Sequence, residues 1–147
     1  MSEATVTLTP YLSCRNAAEA VEFYRRAFGA EPIFVQKLPD GSVMHAALKI
    51  GGADFFLTDE CPDHGSLSPL ALGGSPVVLH LQVPDCDEVF QRAVAAGCEV
   101  RMPLEDQFWG DRYGVVGDPY GHKWSIATTI RQVSPDEIQQ AVAAFSA

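Results

Sequence analysis

The sequence predicts an α+β fold: two βαβββ repeats forming a curved mixed sheet around a cleft, followed by a C-terminal helix. Three observations carry this. Helix starts are marked by a capping residue with Glu three positions on, at Asn16–Glu19, Asp85–Glu88 and Ser134–Glu137. Between these helices the apolar pattern changes to the two-residue period of strands. The first two caps, Asn16 and Asp85, lie 69 positions apart (85 less 16), and the same offset aligns Leu12 with Leu81 and Phe55 with Trp124.

Taken in order, Thr5–Ser13 reads as the first strand. The first helix follows its Asn16 cap, carries Ala17, Ala20, Val21, Tyr24 and Phe28 on one stripe, and stops at Gly29. Strands over Pro32–Lys37, Val43–Ile50 and Asp54–Thr58 are separated by the turns Pro39-Asp40-Gly41 and Gly51-Gly52. Glu60–Gly74, with three glycines and two prolines, reads as a connector. The pattern then repeats. A strand over Pro76–Val83 precedes a helix with Cys86, Val89, Phe90, Ala93 and Val94 on its stripe, ending at Gly97. Strands follow over Glu99–Pro103, Tyr113–Gly117 and Lys123–Thr129, with a turn at Asp118-Pro119-Tyr120-Gly121. A last helix, 134–146, has Pro135 at its first position and Ile138, Val142 and Phe145 on one stripe. The organisation expected is a single domain over 1–147: repeat one at 5–59, connector 60–74, repeat two at 75–130, then the helix.

Composition narrows the function. At 147 residues the chain is long enough to bury roughly two-thirds of its unfolded surface, so a core needs no staple. Ten Lys and Arg against 19 Asp and Glu give a net charge of −9, which argues against a nucleic-acid partner. No apolar run approaches the roughly 18 residues of a membrane span, and Met1–Thr5 lacks a basic start. A cytoplasmic location without membrane contact is the expectation. Cys14, Cys61, Cys86 and Cys98 show no C-x-x-C spacing and read as reduced, small apolar residues.

Strand alternation sorts the two sheet faces. Leu8, Leu12, Leu48, Ile50, Phe55, Leu57, Val77, Leu79, Leu81, Trp124 and Ile126 share the parity that helices would cover. The opposite parity holds Thr9, Tyr11, Ser13, His45, Ala47, Phe56, Thr58, Val78, His80, Gln82, Ser125 and Ala127. That mixture of aromatic, titratable and apolar groups suits a small-molecule cavity, with a wet sheet face or a dimer contact as the plainer reading. Trp109 and Arg112, in a glycine-flanked loop, either close over a ligand or serve structure, Trp109 plugging a sheet edge and Arg112 pairing with Asp106 or Asp111. His64 and His122 read as exposed and inert.

The opening Pro10-Tyr11-Leu12, the run from Asn16 to Tyr24, Phe28-Gly29-Ala30-Glu31 and the closing Asp118-Pro119-Tyr120-Gly121-His122 resemble the vicinal oxygen chelate superfamily. This is the glyoxalase, bleomycin-resistance and extradiol-dioxygenase group, and Asp106–Tyr113 is similar to its PhnB-like branch. The resemblance spans roughly residues 5 to 130. It implies a metal held by one residue from the first and last strand of each repeat, which here are Thr9, Phe56, Val78 and Ser125. Phe and Val have no donor atom, so metal-dependent chemistry is not expected at these positions and no cofactor is expected. A displaced divalent-metal set of His45, His80 and Glu60 is the alternative.

The function expected is therefore metal-free binding of a small hydrophobic or aromatic molecule, with a cationic one favoured by the acidic balance. Tyr11, His45, Phe56, His80, Gln82, Trp109, Arg112 and Ser125 are the candidate ligand-binding residues. The alternative is a lyase or isomerase with His45 or His80 as general base and Tyr11 or Arg112 steadying an oxyanion. A third reading is a dimerisation module. A homodimer is expected, with the last helix seeking an apolar partner.

Overall fold

A computed structural model describes residues 5–145. The chain divides into two compact units, up to Gly74 and from Ser75 onward, so the 60–74 connector belongs with the first repeat.

Unit 1 runs β1 (Tyr11–Cys14), α1 (Ala17–Phe28), β2 (Glu31–Lys37), β3 (Val43–Ile50), β4 (Ala53–Asp59) and a short α2 (Pro69–Leu72). Its four strands are ordered β1-β4-β3-β2, with β1 parallel to β4 and the remaining pairs antiparallel. Unit 2 runs β5 (Val78–Gln82), α3 (Cys86–Ala96), β6 (Glu99–Asp106), β7 (Asp111–Gly117), β8 (Lys123–Thr129) and α4 (Pro135–Ala144). Its sheet order, β5-β8-β7-β6, repeats the same arrangement. The predicted βαβββ duplication and the final helix are both present.

The caps form as their spacing dictates. The side chains of Asn16, Asp85 and Ser134 accept from the backbone N–H of Glu19, Glu88 and Glu137. A second tie holds each main helix to its sheet. Asp59 accepts from Ala17 N at 2.7 Å and Val43 N at 2.6 Å, joining the start of α1 to β3. The equivalent position in unit 2 is Thr128, whose hydroxyl accepts from Cys86 N at 2.8 Å and donates to Val83 O. The covered faces are largely as the parity predicts: Leu12, Leu48, Phe55, Leu57, Leu81, Trp124 and Ile126 are buried, as are Ala17, Ala20, Val21, Tyr24 and Phe28 of α1.

Several expectations need correction. The first strand begins at Tyr11 rather than Thr5, because pairing with β4 starts at Tyr11–Phe56 and the preceding proline has no N–H to give. Leu8 is accordingly exposed, as is Val77 just before β5. Strand β5 is shorter than predicted. β6 is longer, passing through Pro103 by shifting register between Met102 and Glu105, which a sheet-edge strand tolerates. Strand β7 starts two residues early. On α3, Val94 lies partly exposed. The connector is not featureless: Pro62–His64 forms a 3-10 turn and Cys61 bridges Ser66. Helix α4 buries none of its residues, and Phe145 packs edge-on against Phe108 of its own unit at 5.1 Å. Residue 146, the predicted end of that helix, lies outside the described residues.

Candidate functional site

The non-helical face of unit 1 is built by β1, β3 and β4. Tyr11 and Phe56 are register partners across the parallel pair, and His45 projects from β3 on the same side. The three rings meet edge to face, with centroids 5.3 Å apart for Tyr11–His45, 5.5 Å for Tyr11–Phe56 and 4.9 Å for His45–Phe56. Phe34, from β2, adds a fourth ring 6.4 Å from His45. The Tyr11 hydroxyl is 2.7 Å from His45 Nδ1, while His45 Nε2 takes no partner among the described residues. An aromatic floor with one open ring nitrogen results.

Unit 2 carries the same pair with its members exchanged. Tyr11 and His80 are 69 apart, as are Phe56 and Ser125, and these pair likewise, Tyr11 with Phe56 and His80 with Ser125. In the next strand Leu57 pairs with Ala46 and Ile126 with Gly114, an offset of 68 (114 less 46), which makes Tyr113 the counterpart of His45. So Tyr–His in unit 1 becomes His–Tyr in unit 2. Here His80 stacks on Tyr113, centroids 6.1 Å apart and planes 18° from parallel.

His80 is held differently from His45. Its Nε2 lies 2.7 Å from Gln82 Oε1 and its Nδ1 2.7 Å from Ser125 Oγ. The Gln82 amide donates to Thr129 at 2.9 Å and, at 3.5 Å, to Asp111, so its oxygen must face His80. An amide oxygen only accepts, which places a proton on His80 Nε2 and, in the neutral ring, leaves Nδ1 to accept from Ser125. Both nitrogens are engaged. Trp109 Nε1 donates to Asp111 at 3.0 Å and its ring packs edge-on to Tyr113. Trp109 therefore belongs to this face rather than plugging an edge.

Arg112 does not join them. It alternates with Asp111 and Tyr113 along β7 and reaches α3 instead, donating from Nε to Asp87 and from a terminal nitrogen to Asp106, each at 3.1 Å. Asp106, then Asp87, stabilise its cation and raise its pKa further. The oxyanion role considered for Arg112 has no geometric support; its partners are Asp106 and Asp87, not Asp111. Gly114, next but one on that face, lies so close that an added Cβ would come 2.8 Å from Phe90.

The residues at the family-implied metal positions do not fit a divalent ion. Phe56 and Val78 offer no donor, Thr9 precedes the first strand, and the Ser125 hydroxyl engages His80. Nor is the displaced set assembled: Glu60 binds Arg15 Nε at 3.0 Å and Ser68 N at 3.1 Å, and among the described residues no three His, Cys, Asp or Glu come together to hold a metal. Hydrogen bonding from Ser68, then from Arg15, keeps the Glu60 carboxyl below its ordinary pKa.

Sequence reasoning missed Phe34, Asp111, Tyr113 and Thr129. Tyr113 was recoverable only by allowing the repeat offset to slip by one residue between β3 and β7. Also unforeseen is a cavity of about 950 Å³ in unit 1, where the connector and the β2–β3 hairpin meet the start of α1. Arg15, Leu38, Met44, Thr58, Cys61 and His64 are among its walls.

The sequence profile described as Glyoxalase/Bleomycin resistance protein/Dioxygenase superfamily matches residues 6–126. The chain belongs to this superfamily. An uncharacterized protein of Mycobacterium bovis is 49% identical over 138 residues, covering 92% of this chain and 91% of that protein. Protein YjdN of Escherichia coli is 25% identical, covering 85% and 97%. Among solved structures, TioX from Micromonospora sp. ML1 is similar with a TM-score of 0.67 and 27% identity, covering 88% of this chain and all (100%) of that one. A PhnB protein from Bacillus cereus shares the fold, with a TM-score of 0.64 and 22% identity over 84% of this chain and 99% of that one. The duplicated unit is thus the superfamily's, while Phe56 and Val78, at two of the positions where the resemblance implies a metal, carry no donor atom.

Proposed function

We propose that this member of the glyoxalase/bleomycin-resistance superfamily binds a small hydrophobic or aromatic molecule without a metal, on the sheet face that carries Tyr11, His45 and Phe56. The observation that supports it most is the aromatic floor with the open His45 Nε2. Rings present flat apolar area at low entropic cost, and one polar atom among them orients a ligand. A planar cation gains further from ring faces and from the net charge of −9. The test is a panel of planar aromatic compounds, cationic and neutral, titrated by calorimetry. Binding by the unaltered protein, weakened about tenfold in His45→Ala for the loss of one hydrogen bond and ring contact, is the expected result. Binding that His45→Ala and Phe56→Ala both leave unchanged would overturn the assignment to this face.

A lyase or isomerase reading retains one supporting observation, the 2.7 Å Tyr11–His45 contact, which suits proton exchange between a phenol and an imidazole. His45, with a free nitrogen, is the better base; His80 has none to offer. Hydrogen exchange from solvent into a bound ligand, lost in His45→Ala and Tyr11→Phe, would favour this reading over simple binding.

The Asp106–Tyr113 segment supports placement in the PhnB-like branch, and a cytoplasmic setting is part of the same proposal. A homodimer also belongs to this proposal. Ile138 and Val142 of α4 remain incompletely covered, which supports a second copy as their partner. Light scattering at micromolar concentration should give twice the chain mass; a monomer mass independent of concentration would remove the claim.

A further inference from the structure

We propose that the unit 1 cavity walled by Cys61, His64 and Met44 is a binding site for a soft monovalent cation of the cuprous class. Of the four cysteines, Cys14, Cys86 and Cys98 are buried and Cys61 alone is not. Burial, then the charge of Asp118, pushes the Cys98 thiol up to about 12, so that sulfur is a poor ligand. Cys61 differs in setting as well as exposure. Its backbone is fixed by paired hydrogen bonds with Ser66, at 2.7 and 3.0 Å, and its carbonyl accepts from His64 N at 3.0 Å. The 3-10 turn thereby sets Cys61 Sγ 3.5 Å from His64 Nδ1. With metal–sulfur and metal–nitrogen bonds of about 2.3 and 2.0 Å, that separation subtends an angle of about 110° at a shared ion. In the metal-free chain the same separation is that of a thiol–imidazole hydrogen bond, which an ion bound by both atoms would replace.

The rest of the wall decides which metal. Met44 brings a thioether, a soft and flexible donor, to the same cavity. The carboxylates there are already engaged: Asp40 with Ser42, Asp59 with two backbone N–H groups, and Glu60 with Arg15 and Ser68. Each carboxylate on the cavity wall already has a partner, so the donors left on that wall are thiol, thioether and imidazole, a soft set that favours Cu(I). Coordination displaces the thiol proton to solvent, and no electron moves.

The test uses the full chain, reduced and free of oxygen, titrated with Cu(I) against a coloured cuprous chelator, with Zn2+ run in parallel. One Cu(I) per chain is expected. Cys61→Ser should lower affinity at least 100-fold, His64→Gln about tenfold, and Met44→Leu, which keeps the apolar volume, several-fold. His45→Ala should leave Cu(I) affinity unchanged, so this site and the aromatic face stand or fall separately. Far-UV circular dichroism of each variant checks that folding is intact, and Met44→Leu carries the test if Cys61→Ser does not fold. Unchanged affinity in Cys61→Ser or in Met44→Leu, tighter binding of Zn2+ than Cu(I), or no binding at all would overturn the proposal.

Discussion

Asp118→Ala is expected to cost unit 2 about 3–5 kcal/mol, the range for removing a buried charged acceptor from its donors. Asp118 is 7% exposed and shapes the turn between β7 and β8 from within. One carboxylate oxygen accepts from the backbone N–H groups of Tyr120 and His122 at 2.9 and 3.0 Å; the other accepts from Trp124 Nε1 at 2.9 Å. Alanine removes the carboxylate that three donors share, two of them on the buried Tyr120 and Trp124. Asp118→Asn keeps one acceptor oxygen and should lose about half as much. Denaturant unfolding followed by tryptophan fluorescence measures both, since Trp124 is itself a partner. A loss below about 1 kcal/mol for alanine would show that water replaces the carboxylate.

Gly110→Ala should cost about 3 kcal/mol or more, by two additive routes. Its φ of +106° is one that residues with a side chain rarely adopt, a strain of order 1–3 kcal/mol. A Cβ there would also come 2.5 Å from the backbone oxygen of Arg131, a fixed atom, and 3.1 Å from Val133. The Gly110 carbonyl meanwhile accepts from Ile130 N at 2.8 Å and Arg131 N at 3.2 Å, anchoring the loop that carries Trp109. Loss of stability should therefore come with a shifted Trp109 emission and, on the proposed reading, loosened packing of Trp109 on Tyr113. A variant as stable as the parent, with unchanged emission, would contradict the geometry.

Most of the fold was legible because its signals are local. Asn16, Asp85 and Ser134 announce their helices by chemistry acting over three residues, and period-two alternation placed β3 and β8 to the residue. What failed depended on partners distant in sequence. Thr5–Thr9 alternates like a strand yet pairs with no strand among the described residues, and Pro103 suggested an end to a strand that a register shift carries onward. The site was half visible. Parity placed Tyr11, His45 and Phe56 on one face, but it could not tell that Gln82 fixes the proton of His80, or that Arg112 is claimed by a carboxylate on α3. The 950 Å³ cavity left no signal in the sequence, because its walls come from three stretches of chain that only the folded unit brings together.

The exchanged order of the Tyr–His pair constrains how the two halves diverged. Between a Tyr–His and a His–Tyr arrangement there is no single-residue path that keeps both side-chain types. One half must pass through Tyr–Tyr, His–His or a pair with one member lost. Tyr–Tyr and His–His intermediates both keep two rings on that face, so the ring contact survives either of those two routes while the position of the imidazole changes. Two substitutions by such a route exchange the pair without giving up its ring contact, and the two halves differ accordingly in proton chemistry, one imidazole keeping an open nitrogen and the other held at both.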